Sequence, residues 1–227
     1  MALLELPIFP LPLVLFPGAS QLLHIFEPRY REMLADCMKG DQRFGISWVD
    51  AQGKEDPAPD AGSVGCIAQV RASTALPDGR SNILTVGEER YTLLSYLNRK
   101  TPYRVGRVDT FADHPESQID TAELGTRVSE EFRRFTAAMS ALTDSMSSPP
   151  EMSEDPTSLS FQVAAAIEIE GKLKQELLAV RSTRQRLEML QRILRSVTAD
   201  LGPRAEVHMR ARKNGKGGTN ASIVQGG

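Results

Sequence analysis

The sequence predicts an α+β protein: a small β-barrel with one early helix, followed by a C-terminal helical bundle. Two observations carry this. Up to about residue 112, short apolar runs are separated by Pro- and Gly-containing turns at strand spacing. Beyond it, apolar residues recur at three- and four-residue steps, the period of an amphipathic helix. Composition sets the scale: 227 residues, 41% hydrophobic and 25% charged, are ordinary for a globular chain with a substantial core.

The opening is apolar but punctuated by Pro7, Pro10, Pro12, Pro17 and Pro28. Proline lacks a backbone donor and is kept out of central strands, so Pro7, Pro10 and Pro12 predict an extended lead-in. Leu13–Phe16 is expected to be a short strand, Pro17-Gly18 the middle of a type II turn, and Gln21–Phe26 the returning strand. Along that strand Leu23 and Ile25 face one way, and Leu22, His24 and Phe26 the other. Apolar residues on both faces predict burial on both sides. Pro28 suits a first helical turn; Tyr30, Met33, Leu34, Cys37 and Met38 follow helical spacing to Gly40.

Arg43–Val49 alternates around Phe44, Ile46 and Trp48. Asp50–Gly62, rich in Asp, Pro, Ala and Gly, reads as a loop. Val64–Val70 is a strand in which Gly65 and Ala68 permit close packing. "LPDGR" is a hairpin turn, Ile83–Val86 its return, and Tyr91–Leu97 and Tyr103–Phe111 are two further strands. Glu88 and Glu89 then fall in a solvated turn.

Leu124, Val128, Phe132, Phe135, Met139, Leu142 and Met146 predict a long amphipathic helix, and "SMSSPPEMSED" a linker. Asp155-Pro156 is a helix start, with the aspartate as N-cap and the proline as first helical residue. Phe161, Ala164, Ala165 and Ile167 line that helix; Gly171 interrupts before a short helix, Lys172–Val180. Ser182 and Gln185 form a capping box for a last helix with Leu187, Leu190, Ile193, Leu194 and Val197 on its core face. Gly202-Pro203 is expected to end it. The organisation expected is thus barrel 1–112, helical bundle 113–201 and a flexible, basic, Gly-rich tail 202–227.

Chemistry is sparse. His24, His114 and His208 are far apart, and neither Cys37 nor Cys66 completes a metal-ligand spacing. Both cysteines read as buried small hydrophobes of a reducing compartment, and the expected location is the cytoplasm. The first residues lack the basic region of a secretory signal, and Pro17-Gly18 forbids a spanning helix there. No serine lies in a G-x-S-x-G elbow. "NGKGGT" (Asn214–Thr219) has neither the phosphate-loop spacing nor a hydroxyl residue after its lysine. No catalytic, cofactor or metal residue is therefore assigned, and the expectation is a protein that is not an enzyme.

Three blocks carry a resemblance: "LPIFPLPLVLFPGASQLLHIFEPRYREML", "VGCIAQVRASTALPDGRSNILTVGEERYTLLSY" and "DPTSLSFQVAAAIEIEGKLKQELLAVRSTRQRLEMLQRIL". In this order they resemble the N-terminal substrate-recognition domain of Lon-type ATP-dependent proteases, from about Leu4 to Val197. The resemblance implies a barrel similar to that of PUA domains, then a helical subdomain, with a role in gripping unfolded or damaged polypeptides. In that family's full-length protease the last helix runs on into ATPase and peptidase modules. With Gly202-Pro203 as a stop and no nucleotide motif, the expectation here is a stand-alone recognition module lacking both.

Such a module needs exposed apolar surface or an open strand edge. The candidate contacts are Leu11, Leu13, Phe16, Phe26 and Tyr30, from the proline-punctuated segment whose Pro10 and Pro12 block self-pairing. The expected partners are polypeptide substrates or a partner protein, with no membrane, and the chain a monomer or small homo-oligomer. The alternative is an RNA-binding PUA-like protein. Weak nucleic-acid contact would then run through Arg210, Arg212, Lys213 and Lys216, although a formal net charge of −2 argues against a globally basic surface.

Overall fold

The computed structural model describes residues 3–50, 56–143 and 151–215, with side chains throughout except at 118–119 and 202–215. Six strands form one mixed sheet: β1 (Leu3–Leu11), β2 (Ser20–Ile25), β3 (Arg43–Trp48), β4 (Val64–Ala75), β5 (Ser81–Leu97) and β6 (Arg104–Phe111). The spatial order is β2-β5-β4-β3-β1-β6, and β5 also pairs with β6. That second pairing closes β5-β4-β3-β1-β6 into a barrel, leaving β2 attached to β5 alone. β1 and β3 are parallel; every other pair is antiparallel.

The first strand is Leu3–Leu11, not Leu13–Phe16, and it contains Pro7 and Pro10. It tolerates them because its neighbours change along its length. Leu3–Ile8 pairs with β6, and Ile8–Leu11 with β3. Each proline therefore sits where one side of the strand is open and a missing donor can be carried. Leu13–Phe16 forms no strand: it lies between Pro12 and Pro17 and pairs with no ladder among the described residues, though its alternate side chains still serve two cores. Leu15 enters the barrel cluster with Phe9, Tyr30 and Phe44, while Phe16 enters the helical cluster beside Phe161.

The Pro17-Gly18 turn forms as expected, with Gly18 at φ 76° and the Ala19 N–H donating to the Phe16 carbonyl at 3.0 Å. Helix α1 (Pro28–Lys39) begins on Pro28, and the Gly40 N–H closes it on the Cys37 carbonyl. Its Tyr30, Met33, Leu34 and Cys37 cover one face of the sheet; Leu6, Ile8, Ile67, Tyr91, Leu93 and Val108 form the cluster of the other.

Two expected strands are one. β5 runs 17 residues through Gly87-Glu88-Glu89-Arg90, kinked where its pairing with β4 and β6 slips register. Gly87 marks a close approach rather than a turn: it exchanges hydrogen bonds with Gly18 and Ala19, and a Cβ there would strike the Phe16 carbonyl. Glu88 is neutralised by Arg43 at 2.8 Å.

Helices α2 (Gln118–Thr143), α3 (Pro156–Ala166), α4 (Gly171–Ala179) and α5 (Thr183–Gly215) make the second half. Leu124, Val128, Phe132, Leu159, Phe161, Leu177, Leu187, Leu190 and Leu194 are buried together. Met146 and Lys216 lie outside the described residues, as do parts of the linker and of the Asp50–Gly62 loop.

Asp155 caps α3 by accepting from the Ser158 N–H at 2.8 Å. Replacing it by alanine leaves that donor unmatched and should cost about 1 kcal/mol of stability, measurable by urea denaturation. The Ser182 hydroxyl caps α5 at the Gln185 N–H, 3.0 Å, and Glu116 accepts from the Arg184 N–H across the chain at 2.9 Å.

Gly202-Pro203 does not end α5, whose backbone stays helical to Gly215. A proline removes one intrahelical donor and strains one turn. The flanking run "RAEVHMRARK" is rich in good helix formers that carry the backbone past it. Arg210, Arg212 and Lys213 therefore ride on helix rather than on coil.

Candidate binding groove

β2 is the strand whose position matters most. Expected to be buried on both faces, it is instead an outlying strand with an open edge, and Leu22 and Phe26 are 72% and 57% exposed. The cause is topological. β5 bends away after Gly87 to meet β6, and among the described residues no strand pairs with the far side of β2.

Facing that edge is the open side of β1 beyond Ile8, where β6 no longer pairs. Between them lies a groove of about 380 Å³, walled by Phe9–Pro12 on one side and Leu23–Phe26 on the other, with Tyr30 from α1 and Pro57 completing it. Two strand edges with an apolar slot between them offer backbone donors and acceptors together with side-chain pockets.

Aromatic packing shapes the slot. The Phe9 and Tyr30 rings lie 4.2 Å apart, and the Arg29 guanidinium covers Tyr30 at 4.6 Å. Phe26 stacks on His24, whose Nδ1 lies 2.7 Å from Asn82 Oδ1. His24 is thus an exposed, hydrogen-bonded residue on the outer face of β2. Burial pushes the Tyr30 phenol above its ordinary range, so it stays neutral.

A polar pocket of about 300 Å³ adjoins the groove and shares Arg29 and Tyr30 with it. Here Arg29 Nη1 lies 2.6 Å from Asp56 Oδ1, Arg104 grips both oxygens of the same carboxylate, and Glu27 lies 3.0 Å from Arg29 Nε. The hydrogen bonds from Arg104, then from Arg29, hold the Asp56 carboxyl at about 2.

Of the five sequence-derived contacts, three meet in the groove: Leu11, Phe26 and Tyr30. Leu13 packs half-buried against the barrel core. Phe16 is fully buried among the helices, beyond reach of a partner, because the turn that follows it presses it against Phe161. Sequence reading missed Phe9, Leu23 and Ile25 as wall residues; the apolar alternation of Gln21–Phe26 was visible, but not that one face would lie bare.

A second polar cluster joins the two halves. Asp113 is gripped by Arg90 and Arg186, whose side chains are 3% and 0% exposed. Arg90 also donates to the carbonyls of Leu178 and Val180, and Arg186 to Val180 and to Ser160 Oγ at 2.7 Å. Both guanidiniums lie over the Phe161 ring, at 5.1 and 4.0 Å. Every charge there is satisfied within the protein, which marks it as a structural joint. Burial would raise the Asp113 carboxyl, but the two arginines hold it below its ordinary range.

Elsewhere the chemistry is quiet. Burial pushes the Cys37 thiol up to about 12 and the Cys66 thiol higher still, which removes both as nucleophiles at neutral pH. Among the described residues no group of three or more His, Cys, Asp or Glu could hold a metal ion. No helix among them is long and apolar enough to cross a membrane.

Comparison with known proteins identifies the fold and the family. Residues 5–196 match the family described as the ATP-dependent protease La (LON) substrate-binding domain. Lon proteases of Brucella suis and Brucella melitensis are each 25% identical over 177 residues, which is 78% of this chain and 22% of theirs. The chain thus spans about a fifth of the length of the curated relatives it matches. A Lon N-terminal domain protein from Xanthomonas campestris has a similar fold, with TM-score 0.59 and 22% identity over 82% of this chain and 96% of that one. So does the N-terminal domain of the Mycobacterium avium complex Lon protease, at TM-score 0.59, 16% identity, and 86% and 98% coverage. With the barrel, the early helix and most of the bundle inside the matched span, this chain belongs to the Lon substrate-binding domain family.

Proposed function

We infer that this chain recognises unfolded or degron-bearing polypeptides, and does so without catalysis, by taking an extended segment into the groove between β1 and β2. The observation that carries this reading is the pair of open strand edges flanking an apolar slot, with Phe26 and Leu22 exposed beside it. An extended chain alone offers both the backbone groups to match such edges and alternate side chains to fill the slot. Family membership supports the same role. The two unpaired buried cysteines support a reducing, cytoplasmic setting. In this reading the barrel of residues 1–112 presents the groove and the helices of 113–201 support it.

The test is titration of a reduced, alkylated and therefore permanently unfolded protein, followed by fluorescence anisotropy. Phe26→Asp should weaken binding by about tenfold, the loss of one well-placed apolar contact, and Leu22→Asp, exposed but outside the groove lining, should weaken it less. Circular dichroism should stay unchanged, since both side chains are exposed. Wild-type affinity no better than that of an unrelated domain of like charge would refute the reading. Binding of RNA that falls steeply with salt and is lost on removing the residues after Gly202 would favour the alternative.

A further inference from the structure

We propose that Arg29 and Arg104 form a receptor for an acidic side chain of the bound polypeptide, and that Asp56 occupies it in this structure as an internal surrogate. The proposal rests on the groove being the polypeptide site. It adds the class of sequence preferred: an internal Asp or Glu close to an apolar residue.

Three observations converge on it. First, the clamp and the groove are continuous, since Arg29 and Tyr30 wall both. A chain lying between β1 and β2 can therefore place one side chain in the apolar slot and a nearby one against the guanidiniums.

Second, the geometry suits a carboxylate. Arg104 approaches both Asp56 oxygens while Arg29 holds one of them at 2.6 Å, the two-pronged arrangement in which arginine binds carboxylates best. The two arginines come from α1 and β6, so the fold itself brings them together.

Third, the resident carboxylate is displaceable. Asp56 lies outside any strand or helix, and its side chain is 45% exposed. Ion pairs this open to water contribute little and exchange readily for equivalent ones. Pro57, the next residue, already touches the groove, so the Asp-Pro pair mimics an acidic residue beside an apolar one. An incoming segment would exchange one carboxylate for another and gain apolar burial in addition.

The experiment uses the whole chain and two peptides, acetylated and amidated so that they carry no terminal charge. One has Asp next to Phe; the other has Asn in its place. Asp56→Asn should tighten binding of the Asp peptide by about two- to fivefold, as expected for removing a competing exposed ion pair, and leave the Asn peptide unchanged. Adding Arg104→Gln to Asp56→Asn should abolish the preference. If Asp56→Asn binds both peptides alike, the receptor assignment is overturned. If neither peptide binds any variant while the unfolded protein still does, the acidic preference is overturned and the groove reading survives. Failure of the unfolded protein to bind as well removes the reading on which the proposal rests.

Discussion

Asp113→Asn should destabilise the protein by about 3–5 kcal/mol, read as a fall in the urea midpoint at constant slope. The aspartate is the shared counter-ion of two arginines whose side chains are 3% and 0% exposed. Taking away its charge leaves two guanidiniums buried side by side, each over the Phe161 ring and each donating to the Val180 carbonyl in the α4–α5 connection. Burial already disfavours the charge on Arg90, and Asp113 is what opposes that. A domain of this kind holds only about 5–15 kcal/mol in total, so the variant approaches the unfolding threshold. A loss below about 1 kcal/mol would show that water already screens the joint, contrary to its burial.

The pH dependence has a definite sign. Because Asp113 titrates lower folded than unfolded, its stabilisation is complete above the ordinary carboxylate range. It is lost as pH falls through the depressed value, and Asp113→Asn should lack that part of the acid sensitivity.

Gly65→Ala should cost about 1–3 kcal/mol by overpacking. Gly65 stands opposite Tyr91, whose buried ring lies over Gly45 and Gly65 and whose hydroxyl is 2.8 Å from Ser47 Oγ. A Cβ at position 65 would strike the Cζ and hydroxyl oxygen of Tyr91 and lie 2.6 Å from the Ile46 carbonyl oxygen. The backbone is tied to β3 and β5, so the added methyl must displace the Tyr91 ring and strain the Ile46 carbonyl together. Tyr91→Ala alone should cost about 3–5 kcal/mol through the cavity it leaves. In a Tyr91→Leu background the added alanine should cost about 1 kcal/mol less than in the wild type, the contact with the Ile46 carbonyl keeping the remainder, a non-additivity expected of groups in contact. Equal cost in both backgrounds would mean that the clash is with the backbone alone.

The candidate site was half legible in sequence. Leu11, Phe26 and Tyr30 stood out because apolar residues beside prolines suggest an edge that resists self-pairing. Phe16 carried the same local signature and is core, because what buries it is Phe161, far along the chain. Arg29, Arg104 and Asp56 had no signal at all. They are separated by long intervals, and only the closure of β6 onto β5 and β1 sets them together.

Local physics determined the pieces. The helical starts at Pro28 and Pro156, the Asp155 cap, the turn at Pro17-Gly18 and the apolar stripe of α5 follow from torsional limits and periodicity within a few residues. Tertiary structure decided which faces those pieces show. It carried β5 unbroken through Gly87, left one edge of β2 bare, and joined barrel to bundle through Arg90, Asp113 and Arg186. The reason is range. Backbone torsion and side-chain period act between near neighbours, whereas burial and charge pairing depend on what the rest of the chain brings alongside.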